Sequence, residues 1–187
     1  MILPSRRMTI YTIGHSTRSL EELVEVLRAH GVELLVDVRR FPGSRRHPHF
    51  ARESLERALP EAGINYLWLE GLGGRRSHRK GRKGSPHTAW RVAGFTSYAD
   101  HMETAEFREA AETLLERARE ATAAVMCAEA LPERCHRRLL ADWLTVRGVE
   151  VVHVLDRERT RPHELPDFAR VEEGERLVYD GGQMGLL

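Results

Sequence analysis

Short apolar, β-rich runs alternate along this chain with segments of helical periodicity, and that alternation limits the fold more than any other feature. Thr9-Ile10-Tyr11-Thr12-Ile13 ends at Gly14 and reads as a first strand. Ser19-Leu20-Glu21-Glu22 is a capping-box pattern that opens a helix with Leu20, Leu23, Val24 and Leu27 on one face, and Gly31 is its stop. Leu34–Val38 is a second, nearly continuous apolar strand of the kind covered on both faces. A short helix is expected around Ser54–Ala62, weakened at its end by Pro60. Ile64–Leu69 is a third strand and Ala123–Cys127 a fourth. Between them a helical region starts near Ser97 and splits near Thr104. Cys135–Val146 is a helix stopped by Gly148, and Val149–Leu155 is a fifth strand. Arg176–Tyr179 could add an edge strand. The order predicts a three-layer α/β/α fold, Rossmann-like or flavodoxin-like, on a mostly parallel five-stranded sheet with right-handed crossovers. Strand order is not readable from the pattern.

Read this way, residues 1–187 form a single α/β domain. It has a core of about 9–155, a basic loop insertion at about 71–95 and a C-terminal extension over 156–187. Lys and Arg number 29 against 28 Asp and Glu, so global charge selects no partner and only local charge can. No apolar run reaches membrane-spanning length, and the start is too short and interrupted for a secretory signal. No membrane partner is expected. Two cysteines, Cys127 and Cys135, make no disulfide framework, so a cytoplasmic location is expected.

In open parallel sheets ligands bind outside the carboxyl ends of the strands. The segments after the predicted strands are therefore the ones to read for chemistry. They carry His15 and Ser16, then Asp37, Arg39, Arg40 and Ser44, then Glu129, Cys135, His136 and Arg137. Arg39 and Arg137 are anion candidates, because a guanidinium fork suits phosphate or carboxylate. Ser16 and the predicted helix start at Cys135 would add free amide donors. Asp37 and Glu129 are candidate bases or arginine-orienting groups, and His15 is an acid/base or hydrogen-bonding candidate. Cys135, placed in the first turn of a helix beside His136, Arg137 and Arg138, has the surroundings of an activated thiol. Cys127 and Cys135 are a candidate thiol pair, or two small core side chains. A metal held by Cys127, Cys135 and His136 is a minor alternative, since the spacing matches none of the usual zinc patterns. No organic cofactor is indicated: strand one lacks a dinucleotide fingerprint, and Gly71-x-Gly73-Gly74 is too weak to be one.

Gly14-His15-Ser16, Asp37-Val38-Arg39 with Pro42 and Ser44, Cys127-Ala128-Glu129 and Cys135-His136-Arg137 resemble the ordered motifs of domain-of-unknown-function family number 488. The resemblance runs from about Thr9 to Leu155. It implies the fold and the location of the site, and it implies no particular reaction.

Two functions from different classes follow. The leading one is an uncharacterised enzyme acting on a phosphate-bearing substrate, a nucleotide or nucleic acid. In it Arg39 and Arg137 hold the anion, His15 and Glu129 move protons, and Cys135 is the nucleophile or thiol. Ser16, Asp37, Ser44 and His136 complete that site. The other is a non-catalytic RNA- or DNA-binding module using the basic loop 75–91. There Arg75, Arg76, Arg79, Lys80, Arg82 and Lys83 would meet the backbone and nearby aromatics would stack on bases.

Overall fold

The computed structural model describes residues 8–43, 47–76 and 84–181. Five strands form at the predicted apolar runs: β1 (Thr9–Gly14), β2 (Leu34–Asp37), β3 (Asn65–Trp68), β4 (Ala123–Cys127) and β5 (Glu150–Val154). All pair in parallel. The sheet has a sixth strand, β6 (Thr160–Pro162), antiparallel to β5. Its sequence, Thr-Arg-Pro, carries no apolar signal because all three residues are exposed at the sheet edge. The predicted edge strand is real but lies elsewhere. β7 (Ala169–Glu172) and β8 (Arg176–Tyr179) form a separate antiparallel pair.

The helices are α1 (Leu20–Ala29), α2 (Arg52–Glu61), α3 (Ala93–Met102), α4 (Ala105–Glu120) and α5 (Arg137–Val146). Ser19 and Glu22 close the capping box at α1, and Thr104 caps α4, which explains the split predicted there. Two boundaries differ from expectation. α3 starts at Ala93, so Ser97 is a buried interior residue and not a cap. α5 starts at Arg137, which leaves Cys135 and His136 in the turn before it.

α1 and α2 cover one face of the sheet, and α3, α4 and α5 the other. Strand periodicity sorts the residues of β4 between them: Ala124 and Met126 face α1 and α2, while Ala123, Val125 and Cys127 face the other layer. Every residue of β2 and β4 is buried.

The strand order is β3-β2-β4-β1-β5-β6. The chain thus moves outward from β1 to β3 along one face and returns by inserting β4 between β1 and β2. That reversal is the switch point at which open α/β sheets form a crevice.

The segment after β4 crosses over β1 at Gly14. A Cβ there would lie 1.8 Å from the Glu129 carbonyl oxygen. Gly31, by contrast, has a positive φ of 64° and open space around its Cα. Gly14→Ala should therefore cost about 3 kcal/mol through overpacking, and Gly31→Ala about 1 kcal/mol through backbone strain alone. Urea unfolding measures both; equal costs would contradict the close crossing at Gly14.

Candidate functional site

Backbone bonds continue past the ends of the three central strands and fix the segments that carry the site. The His15 amide donates to the Cys127 carbonyl at 2.9 Å, the Ser16 amide to Ala128 at 2.9 Å, and the Val38 amide to Met126 at 3.0 Å. Outside these ends lies a cleft of about 440 Å³ lined by His15, Arg39, Cys127, Glu129, Cys135 and His136, among others. With Arg40 and Arg75, eight of the residues singled out from sequence therefore share one crevice.

Asp37 and Arg39 form its floor. The Arg39 Nε donates to Asp37 Oδ1 at 2.9 Å, and Nη2 donates to Oδ2 and to the Phe50 carbonyl. Asp37 also accepts from the Arg39 amide and, at 2.7 Å, from the Tyr66 hydroxyl. With its lone pairs so occupied and no exposed surface, Asp37 fixes the direction of the arginine. Arg39 Nη1 has a single contact among the described residues, at 3.4 Å to His15 Nε2.

His15 Nδ1–H donates to the Ser16 carbonyl at 3.0 Å, which leaves the Nε2 lone pair facing Arg39. The imidazole packs on Phe50 with ring centroids 4.2 Å apart. Burial, then the Arg39 charge, lower its pKa to about 4. At neutral pH His15 is a neutral hydrogen-bonding group and a weak base.

The opposite wall holds Cys127, Cys135 and His136. His136 Nε2–H donates to the Val38 carbonyl at 2.9 Å, so its Nδ1 lone pair faces the sulfurs. Nδ1 is 3.6 Å from Cys135 Sγ and 3.8 Å from Cys127 Sγ. Both cysteines are free thiols. Burial opposes the Cys135 thiolate, but the bond from the Cys127 thiol and the charge and amide of Arg137 outweigh it, so Cys135 is the more acidic. The same bond, with burial, raises Cys127. Gly74 makes room for the ring: a Cβ there would lie 2.5 Å from His136 Nδ1.

Other candidates are placed differently. Arg137 is 1% exposed and does not reach the cleft. Its Nη2 donates to the Glu129 carbonyl at 2.6 Å and to Ala130, and its Nη1 to Thr12 Oγ1 at 3.3 Å, so it anchors the loop after β4. An arginine adjacent to a candidate thiol reads as an anion site in sequence; packing turns it inward. Ser16 adopts a positive φ of 51° and uses its backbone amide and carbonyl. Glu129 is exposed at the cleft rim. Arg75 lines the cleft, whereas Arg76 is tied to Glu106 and to the Gly73 and Glu70 carbonyls. Trp90 is half-buried and packs among Phe95, Phe168 and Tyr179. Ser44, Arg79, Lys80, Arg82 and Lys83 lie outside the described residues.

Arg40, Phe41, His47, Gly74 and Tyr98 also line the cleft. The Tyr98 hydroxyl donates to the Leu72 carbonyl at 2.8 Å, and its ring lies 5.0 Å from that of His136. The available signal for this wall was Gly73-Gly74: Arg40 and His136 occupy the space where Cβ atoms would be.

Behind the site a buried relay runs from Arg137 through Thr12, His153 and His163 to Asp142. Burial, then the charges of His163 and Arg137, lower His153 to about 3. The unfolded chain takes up this proton near pH 6.5 and the folded chain only near pH 3, so stability is full above pH 6.5 and falls as pH drops toward 3. His153→Gln should flatten part of that acid limb in urea titrations at a series of pH values; an unchanged slope would contradict the assignment.

No curated protein and no solved structure matches the chain. The family model described as "Domain of unknown function DUF488" matches residues 19–144, a span that includes Arg39, both cysteines and most of α5. The chain belongs to that family.

Proposed function

We propose that the chain is an enzyme acting on a phosphate-bearing substrate of nucleotide size. The observation that carries this reading is the charge of the cleft. Among its described lining residues are Arg39, Arg40, Arg75 and Arg134 against one carboxylate, Glu129. A crevice walled by low-dielectric protein and lined by one sign of charge concentrates an oppositely charged ligand. Its volume of about 440 Å³ falls in the range of small-molecule sites.

Arg39 is held by Asp37 with its Nη1 edge unspent, so it can bond an anion without reorganising. Arg40 Nε is buried with no partner among the described residues, and its Nη1 donates to the Arg75 carbonyl at 3.3 Å. His15 supports Arg39, and Glu129 at the rim is the candidate proton acceptor. The reacting end of the substrate would face the sulfurs and imidazole of Cys127, Cys135 and His136. The rival reading, a nucleic-acid module on residues 75–91, has less behind it, because Arg76 and Trp90 are engaged within the fold.

The test is thermal-shift and calorimetric screening with phosphate, pyrophosphate and mononucleotides, comparing the wild type with Arg40→Ala and Arg39→Lys. At least one anion should bind, and each substitution should weaken it by about tenfold or more, the loss expected for one charge-assisted bond. Binding that survives both substitutions unchanged, or that appears only with oligonucleotides, overturns the reading.

A further inference from the structure

We propose that Cys127, Cys135 and His136 form a binding site for one thiophilic divalent cation, with Zn²⁺ as the best fit, whose fourth coordination position opens into the cleft. The two Sγ atoms and Nδ1 all lie within 4.8 Å of one another. In a tetrahedral zinc site with Zn–S of about 2.3 Å and Zn–N of about 2.05 Å, sulfur and nitrogen stand about 3.6 Å apart. The observed separations from Nδ1 are 3.6 Å and 3.8 Å. Two of the three edges of such a tetrahedral face are therefore already in place, and the third, between the sulfurs, is no longer than 4.8 Å.

The surroundings match the requirements of a metal ligand set. Metal-bound histidine usually donates its other N–H to a backbone carbonyl or carboxylate, which fixes the tautomer. His136 does this through Nε2–H and Val38, the residue between Asp37 and Arg39 just past β2. The Arg137 amide lies 3.5 Å from Cys135 Sγ and supports a thiolate there. The ligand types, two sulfurs and an imidazole, select zinc and other soft ions over magnesium or calcium. The ligands arise from separate places, one closing β4 and two in the turn before α5. Their spacing in sequence, Cys-x7-Cys-His, therefore resembles no standard pattern, although the fold makes them neighbours.

All three residues line the cleft. Three protein ligands with one open position is the arrangement of catalytic zinc sites, whereas structural sites are closed by four. Cys135 would then serve as a ligand and not as a nucleophile. The use of the ion, polarising a phosphoryl oxygen or a bound water beside Arg39, rests on the proposed function; the binding of the ion does not.

The full chain, purified, stripped with a chelator and dialysed, is titrated with Co²⁺ and separately with Zn²⁺. The expected result is one equivalent per chain, thiolate-to-cobalt charge-transfer absorption with intense tetrahedral visible bands, and protection of both thiols from a thiol reagent. Cys127→Ser, Cys135→Ser and His136→Gln should each weaken binding by about 100-fold or more. Circular dichroism identifies any variant that fails to fold, and thiol protection in the wild type remains decisive in that case. Absence of stoichiometric binding, or charge-transfer bands that persist in both serine variants, overturns the site. Arg40→Ala separates the two proposals: it should leave the cobalt spectrum unchanged while weakening anion binding. Anion binding lost with the metal site intact faults neither, anion binding absent from the wild type faults only the function, and a missing cobalt spectrum faults only the metal.

Discussion

The hydrogen bonds that run beyond the ends of β1, β2 and β4 are what the rest of the site depends on. They hold His15 and Ser16 against the segment after β4, and Val38 against Met126. Because β4 lies between β1 and β2, one set of bonds registers three separate stretches of chain. The approach is so close that Gly14 leaves no room for a side chain below the Glu129 carbonyl. Arg137 closes the loop from beneath by taking that same carbonyl.

On this frame the two walls of the cleft are rigid for different reasons. The floor is a buried ion pair whose carboxylate is fully bonded. Such a pair gives little net stability, since desolvation offsets attraction, but it fixes the direction of the guanidinium. The sulfur and imidazole wall is fixed by the Val38 carbonyl on one side and by the absent side chain of Gly74 on the other. Burial makes His15 a weak base at neutral pH.

The parallel core was legible because strands covered on both faces are nearly continuous apolar runs, as Leu34–Val36 of β2 and all of β4 are. β6 was not, since an exposed three-residue edge strand has no burial to record in its sequence. Strand order was not legible because it rests on pairing between segments far apart in sequence, β4 with β1 and β2, which no local pattern encodes. The location of the site was legible through the rule that ligands meet the carboxyl ends of strands. The direction of individual side chains was not. Arg137 belongs to the same motif as Cys135 and His136, yet it points into the core toward Thr12. The metal-like geometry was hidden for a related reason: Cys127 and His136 are brought together by a turn whose shape depends on Pro132 and the short 3-10 helix Pro132–Arg134.

The account stands on one cleft in which an anion meets Arg39 across from the sulfur and imidazole wall. The most direct measurement is a crystal structure of the chain with pyrophosphate. The account predicts a phosphoryl oxygen within hydrogen-bonding distance of Arg39 Nη1 and of the Arg40 guanidinium, with the anion facing His136. Pyrophosphate bound elsewhere on the surface, with Arg39 still engaged only by Asp37, Phe50 and His15, would contradict it.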